Sequence, residues 1–157
     1  MAQPVINYLA VVAAAVASIV LGFLWYGPLF GKQWMKLMNF DMSVNRKAIS
    51  EHARKSLIFD KKKLEEAKKK GMTQTYVLMT VSTLVMSYIL AHFVDYLDAI
   101  DVTGALQAAF WLWLGFIATI MLGMVLWENK PWKLYFINVA YQLVSLAVMA
   151  VILAVWV

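Results

Sequence analysis

Four stretches of this chain stay apolar for longer than the core helix of a soluble protein requires. They cover residues 4–26, 73–94, 104–127 and 132–157. Each holds on the order of 20–25 residues, which at ~1.5 Å rise per residue crosses a ~30 Å hydrocarbon layer. Apart from Lys133 near the edge of the last one, none contains Asp, Glu, Lys or Arg. In lipid every backbone N–H and C=O must find its partner within the chain, so segments of this length are helices. The expectation is an all-α integral membrane protein: one bundle over residues 1–157 with four transmembrane helices. Composition agrees. The chain is 63% hydrophobic and 15% charged, against roughly 45–50% and 25% for soluble domains. The first run has no Lys or Arg before it and is too long for the apolar core of a signal peptide, so it reads as a retained span.

The charges give the orientation. Lys32, Lys36, Arg46, Lys47, Arg54, Lys55, Lys61, Lys62, Lys63, Lys68, Lys69 and Lys70 lie between the first two runs. Lys130 and Lys133 lie at the turn between the last two, which completes the 14 basic residues. The middle connection holds Asp95, Asp98 and Asp101 and no base. With four spans both basic connections fall on one side, and the positive-inside rule makes that side cytoplasmic. The expectation is then a multi-pass membrane protein with both termini outside. Aromatic residues fit the same arrangement. Trp25, Tyr26, Trp34, Trp127 and Trp132 gather at the inner interface, and Tyr8, Tyr96 and Trp156 suit the outer one.

The long basic connection, 40–72, reads as one or two amphipathic helices on the inner membrane surface. Asp60 caps a helix over 61–70 and Gly71 stops it. Glu65 with Lys69 and Glu66 with Lys70 are helix-favouring pairs four residues apart. Lys61, Lys62, Lys63, Lys68, Lys69 and Lys70 are candidate contacts for anionic lipid headgroups, at about 1 kcal/mol per cation. The bland alternative is a solvated loop whose cations enforce topology. Nucleic acid is not an expected partner, because stacking aromatics are not interleaved with the cations.

No charged residue lies within the hydrocarbon region of a span, which argues against a proton pump or voltage sensor. Small and hydroxyl residues recur at i, i+4 spacing instead. They are Ala10, Ala14, Ser18 and Gly22 in the first span, Thr83, Ser87 and Ala91 in the second, and Gly115, Thr119 and Gly123 in the third. Such stripes let helices approach closely in lipid. Span four carries Asn138, Gln142 and Ser145 on one face. Counting ~1.5 Å per residue from the inner interface, Ser18, Thr80, Thr119, Asn138 and Gln142 form a polar layer roughly 9–15 Å deep. That layer is either a set of interhelical hydrogen bonds or the lining of a ligand site.

His92 with Asp95 one turn on hints at a cation site, but one His and interfacial acids fall short of the three or four ligands zinc takes. His52 has no partner pattern. The chain has no cysteine, which removes disulfides and thiolate chemistry. No catalytic triad, glycine-rich phosphate loop or paired catalytic carboxylates are present, so no catalytic residue, metal or cofactor is expected. A weak internal echo pairs Leu21-Gly-Phe-Leu-Trp25 and Lys32-Gln-Trp-Met-Lys36 with Leu122-Gly-Met-Val-Leu-Trp127 and Lys130-Pro-Trp-Lys133. If it reflects the fold, the bundle is two parallel helical hairpins.

Several of these pieces occur together: Gly22-Phe-Leu-Trp-Tyr-Gly-Pro-Leu-Phe-Gly-Lys-Gln-Trp34, Lys70-Gly-Met, Met86-Ser-Tyr-Ile-Leu-Ala-His-Phe93, Trp113-Leu-Gly-Phe116 with Thr119, and Trp127-Glu-Asn-Lys-Pro-Trp-Lys-Leu-Tyr135 with Asn138. Together they resemble the bacterial four-span family catalogued as domain of unknown function seventeen-sixty-one. The resemblance covers most of the chain. It implies a small integral membrane protein with no assigned activity, and it supplies no catalytic residues. The leading expectation is a non-enzymatic membrane protein, either a self-associating bundle (a homo-oligomer) or an accessory subunit of a larger complex. The alternative is a small transporter, channel or lipid- or solute-binding module that uses the layer around Asn138 and Gln142. A membrane enzyme centred on His92 and Asp95 is the least favoured reading.

Overall fold

The computed structural model describes residues 6–38, 51–99 and 101–156, with side chains described outside 51–70. Four helices in it are long and apolar enough to cross a membrane: Tyr8–Leu29, Gly71–Tyr96, Val102–Leu126 and Trp132–Val155, here spans one to four. No described residue lies in a strand. A short helix, Gly31–Leu37, follows span one at the end of the bundle that also carries Lys130 and Lys133, here the basic end. The Asp95–Asp101 turn marks the opposite, acidic end.

The helix ends have local causes. The first backbone N–H groups of a helix lack partners within it. At span one Asn7 fills that need, its Oδ1 accepting from the N–H groups of Leu9 at 3.1 Å and Ala10 at 3.3 Å. Its Nδ2 donates to the Trp156 carbonyl at 3.0 Å, which fastens the start of span one to the end of span four. Asp101 caps span three in the same way, accepting from Gly104 N–H at 3.0 Å. Span two closes through Asp98, whose φ is 50°. Asp98 N–H bonds to Asp95 O and Ala99 N–H to Val94 O, the paired bonds of a left-handed helix cap. Ala99 and Val94 are both buried beneath it. Thus Asp98 and Asp101 shape the turn that returns the chain into the membrane.

Gly71 does not stop a helix. Span two is the last part of one helix, Glu51–Tyr96, of 46 residues, about 69 Å long at ~1.5 Å per residue. A glycine ends a helix by turning left-handed, and no described glycine has positive φ. Inside a helix it costs only about 1 kcal/mol relative to alanine. The separate surface helix expected over 61–70 is therefore an unbroken extension of span two. The rest of the expected basic segment, 40–50, lies outside the described residues.

Span four is the centre of the bundle. It packs against each of the other three, while spans two and three touch little. It is 39% buried against 11% for span three. Lipid is as apolar as the side chains, so helices associate here through close packing and hydrogen bonds. The contact layer is built accordingly: Ala10, Ala14, Ala105, Ala109, Met149 and Ala150 are all within 1% of complete burial. Ser18 and Ser145 share a buried hydroxyl–hydroxyl hydrogen bond of 2.6 Å across spans one and four. Ser87 Oγ donates to the Val11 carbonyl at 2.9 Å across spans two and one.

The small-residue stripes of spans one and two are thus used within the chain. That of span three is not: Gly115 and Thr119 are exposed, and Ala105, Ala109 and Ala118 form the packed face. The cause is a widened π turn over Trp113–Ala118. Ala109 and Ala118 are nine residues apart, which at ~3.6 residues per turn is half a turn out of phase. A π turn absorbs about one extra residue. It brings Ala118 back to span four, where the Tyr135 hydroxyl donates to its carbonyl at 3.0 Å.

Candidate functional site

Span two leaves the bundle toward the basic end. Ser87, Leu90, Ala91 and Val94 are buried, yet every residue from Gly71 through Ser82 is exposed. Spans one and two therefore meet in the acidic half and part in the basic half. The wedge between them is a groove of about 620 Å³. Tyr141 and Gln142 of span four form its floor. Ser18, Gly22 and Tyr26 wall it on one side, and Thr83 and Met86 on the other.

A second π turn sets the first wall. Pro28 has no N–H to give to a helix ladder, and the chain widens over Trp25–Leu29, with Phe30 N–H bonding to Trp25 O at 2.9 Å. Gly31 completes the turn, since a Cβ there would overlap the Tyr26 carbonyl. The turn directs two consecutive aromatics at span four. Trp25 Nε1 donates to the Ile137 carbonyl at 3.2 Å, and the Tyr26 hydroxyl donates to Asn138 Oδ1 at 3.1 Å. Gly22 leaves room for Tyr141, whose Oη would lie 2.9 Å from any Cβ at that position. The Tyr141 hydroxyl donates to the Ser18 carbonyl across a long 3.4 Å. Tyr26 and Tyr141 pack edge to face with centroids 5.0 Å apart.

Span three repeats the device on the far side of span four. Its π turn also begins at a tryptophan, and Trp113 Nε1 donates to the Val139 carbonyl at 2.8 Å. Trp25 and Trp113 are thus counterparts in role. The sequence echo had aligned Trp25 with Trp127, which is 84% exposed.

Gln142 is the exception to an otherwise satisfied interior. Among the described residues its Oε1 is the one buried side-chain polar atom without a hydrogen-bond partner. A buried amide oxygen left unpaired costs on the order of 1–3 kcal/mol. Asn138, one turn away, has its oxygen bonded by Tyr26. The arrangement can accept a polar group from a molecule in the groove, and among the described residues it holds no charged side chain or nucleophile–base pair along its lining.

The residues expected to form a polar layer separate into three groups. Ser18 and Gln142 line the groove, and Asn138 lies behind it through Tyr26. Thr80 is exposed, with its hydroxyl on the Tyr76 carbonyl of its own helix at 2.9 Å. Thr119 is exposed on span three, with its hydroxyl on the Gly115 carbonyl at 2.7 Å. Counting depth along a helix gives no information about azimuth. Tyr26, Tyr141, Ser82 and Thr83 line the groove without having been singled out for it. Tyr26 reads as an interfacial anchor in the sequence. Tyr141 lies three residues after Asn138 and directly before Gln142, which was the available signal. The side chains of Lys61, Lys62, Lys63, Lys68, Lys69 and Lys70 lie outside those described.

His92 sits between Tyr88 and Tyr96, with ring centroids 4.5 and 6.3 Å away. Its Nδ1 lies 2.9 Å from the Tyr88 carbonyl, an acceptor, so that nitrogen carries the proton. Asp95 is exposed. No group of three or more His, Cys, Asp or Glu side chains among the described residues is arranged to hold a metal.

Residues 9–154 match the family described as Protein of unknown function (DUF1761), and the chain belongs to it. No curated protein and no solved structure matches the chain.

Proposed function

We propose that this protein is a non-enzymatic binding module of the bacterial cytoplasmic membrane, with its basic end in the cytoplasm and both termini outside. It holds one largely apolar molecule in the wedge between spans one and two. The observation that carries this reading is the unpaired Gln142 Oε1 beside a groove of about 620 Å³. An interior that elsewhere pairs Ser18 with Ser145 and Tyr26 with Asn138 leaves one enclosed acceptor unpaired next to the space a ligand would fill, and a turn of the Gln142 amide brings it to that space. The exposed side of span two in that half gives a molecule dissolved in the bilayer a lateral way in. The lack of charged side chains among the described residues of the groove favours binding over ion conduction.

The test is co-purification. The native chain and Ser82→Trp are isolated in native-lipid nanodiscs, and their bound molecules are compared by mass spectrometry. Ser82 is exposed on the rim, so the indole fills the wedge without disturbing the packed half. A molecule enriched with the native chain and lost from Ser82→Trp, at unchanged melting temperature, is the expected result. Identical lipid profiles would overturn the reading. Cytoplasmic orientation is checked by tag accessibility in intact cells, with both termini reachable from outside.

A second reading, self-association or service as an accessory subunit, has support on span three. Its window is 11% buried, and a Cβ at Gly115 would meet nothing within 4 Å. Gly115 and Thr119 there form a small-residue face of the kind that joins helices in lipid. Gly115→Leu turning an oligomer into a monomer in light scattering would support it, and a native chain that is monomeric at every concentration would not.

A further inference from the structure

Resting on the groove reading above, we infer that the occupant is an uncharged molecule with a hydroxyl group on an otherwise apolar body, bound with that hydroxyl at Gln142. Depth is the first argument. Gln142 lies ten residues into span four from Trp132, about 15 Å along the axis at ~1.5 Å per residue. That is half of a ~30 Å hydrocarbon layer. Thr83, twelve residues from Gly71, reaches a similar level at about 18 Å. A phospholipid headgroup is charged and stays at the interface, because a charge at mid-membrane is strongly disfavoured. A neutral hydroxyl can travel that far.

The lining is the second argument. Ile19, Phe23, Met79 and Met86 give the groove apolar walls, and among the described side chains no Lys, Arg, Asp or Glu lines it. A carboxylate, phosphate or ammonium in the groove would find no counter-charge among those side chains. At ~30 Å³ for a water-sized group, 620 Å³ has room for roughly twenty such groups, the bulk of a long-chain or fused-ring alcohol.

The unpaired amide is the third argument. As oriented, Oε1 calls for a donor. Rotation about the soft terminal torsion of glutamine exchanges oxygen for nitrogen, and nitrogen calls for an acceptor. A hydroxyl answers both orientations, since it donates and accepts. A ketone, quinone or ether only accepts, so it answers the nitrogen and not the oxygen.

The experiment uses the full chain in phosphatidylcholine nanodiscs and a long-chain monounsaturated alcohol bearing a diazirine on its chain. After irradiation the labelled residues are mapped by mass spectrometry. Unlabelled alcohol, its methyl ether and the carboxylic acid of the same chain compete. Labelling confined to residues 18–27, 76–86 and 141–142 is expected, with the alcohol competing at about tenfold lower concentration than the ether, the worth of one hydrogen bond. In Gln142→Leu that gap closes while labelling persists, and in Ser82→Trp labelling is lost. Equal competition by alcohol and ether in the native chain, or preference for the acid, overturns the hydroxyl assignment and leaves the groove standing. Labelling spread around all four spans and unchanged in Ser82→Trp overturns both.

Discussion

The acidic and basic halves of this bundle use the same spans and differ in how the spans are joined. In the acidic half alanine faces alanine, the Ser87 hydroxyl bonds across to span one, and Asn7, Asp98 and Asp101 tie off the helix ends. Spans one, two and four there exclude everything else. In the basic half two π turns widen spans one and three, and span two swings clear. Aromatic donors, Trp25, Tyr26, Trp113 and Tyr135, take over from small residues as the links to and from span four. Small residues hold helices at one separation, whereas an indole or phenol reaches across a gap and leaves room beside it. The difference teaches where this family member spends packing and where it keeps space.

Five substitutions put that contrast at risk, in descending size of effect. Met149 is completely buried at the centre of the acidic half. Met149→Ala is expected to cost about 2–5 kcal/mol, read as lost unfolding free energy in a denaturant titration of the detergent-solubilised protein. A loss below half a kcal/mol would mean that the acidic half is not the dry core described here. Gln142→Leu should move the other way. Removing an unpaired buried oxygen gains about 1 kcal/mol in the ligand-free protein, seen as a higher melting temperature. A clear loss would show that the amide is structural. Ser18→Ala strands the Ser145 hydroxyl and should cost about 0.6 kcal/mol, the typical worth of a hydrogen bond between membrane helices. Ser145→Ala should cost the same, and the double variant less than the sum. Thr80→Val, on the exposed stretch of span two, should stay within about 0.5 kcal/mol of the native chain. A larger loss would mean that span two is covered in its basic half after all.

Much of the architecture was legible before any coordinates. Span number followed from run length alone, because hydrocarbon leaves the backbone no choice but helix. The buried face of span one was legible too, since Ala10, Ala14 and Ser18 keep one azimuth on a regular helix. The same logic misplaced the face of span three, because a π turn at Trp113 shifts the phase and leaves no mark in residue spacing. It also misjudged Gly71, since whether a glycine caps or continues a helix depends on its φ and not on its identity. Of the polar layer counted along the spans, Ser18 and Gln142 line the groove. Thr80 and Thr119 have similar depth and face away.

The sequence by itself determined how many helices are long and apolar enough to cross a membrane and where the charges gather, because both are read from one segment at a time. Tertiary structure alone decided which polar residues meet, that span two parts from span one, and that one glutamine oxygen is left unpaired beside the gap. Those depend on the rotation and separation of neighbouring helices, which two wide turns and a few aromatic hydrogen bonds fix, and no period in the sequence encodes them.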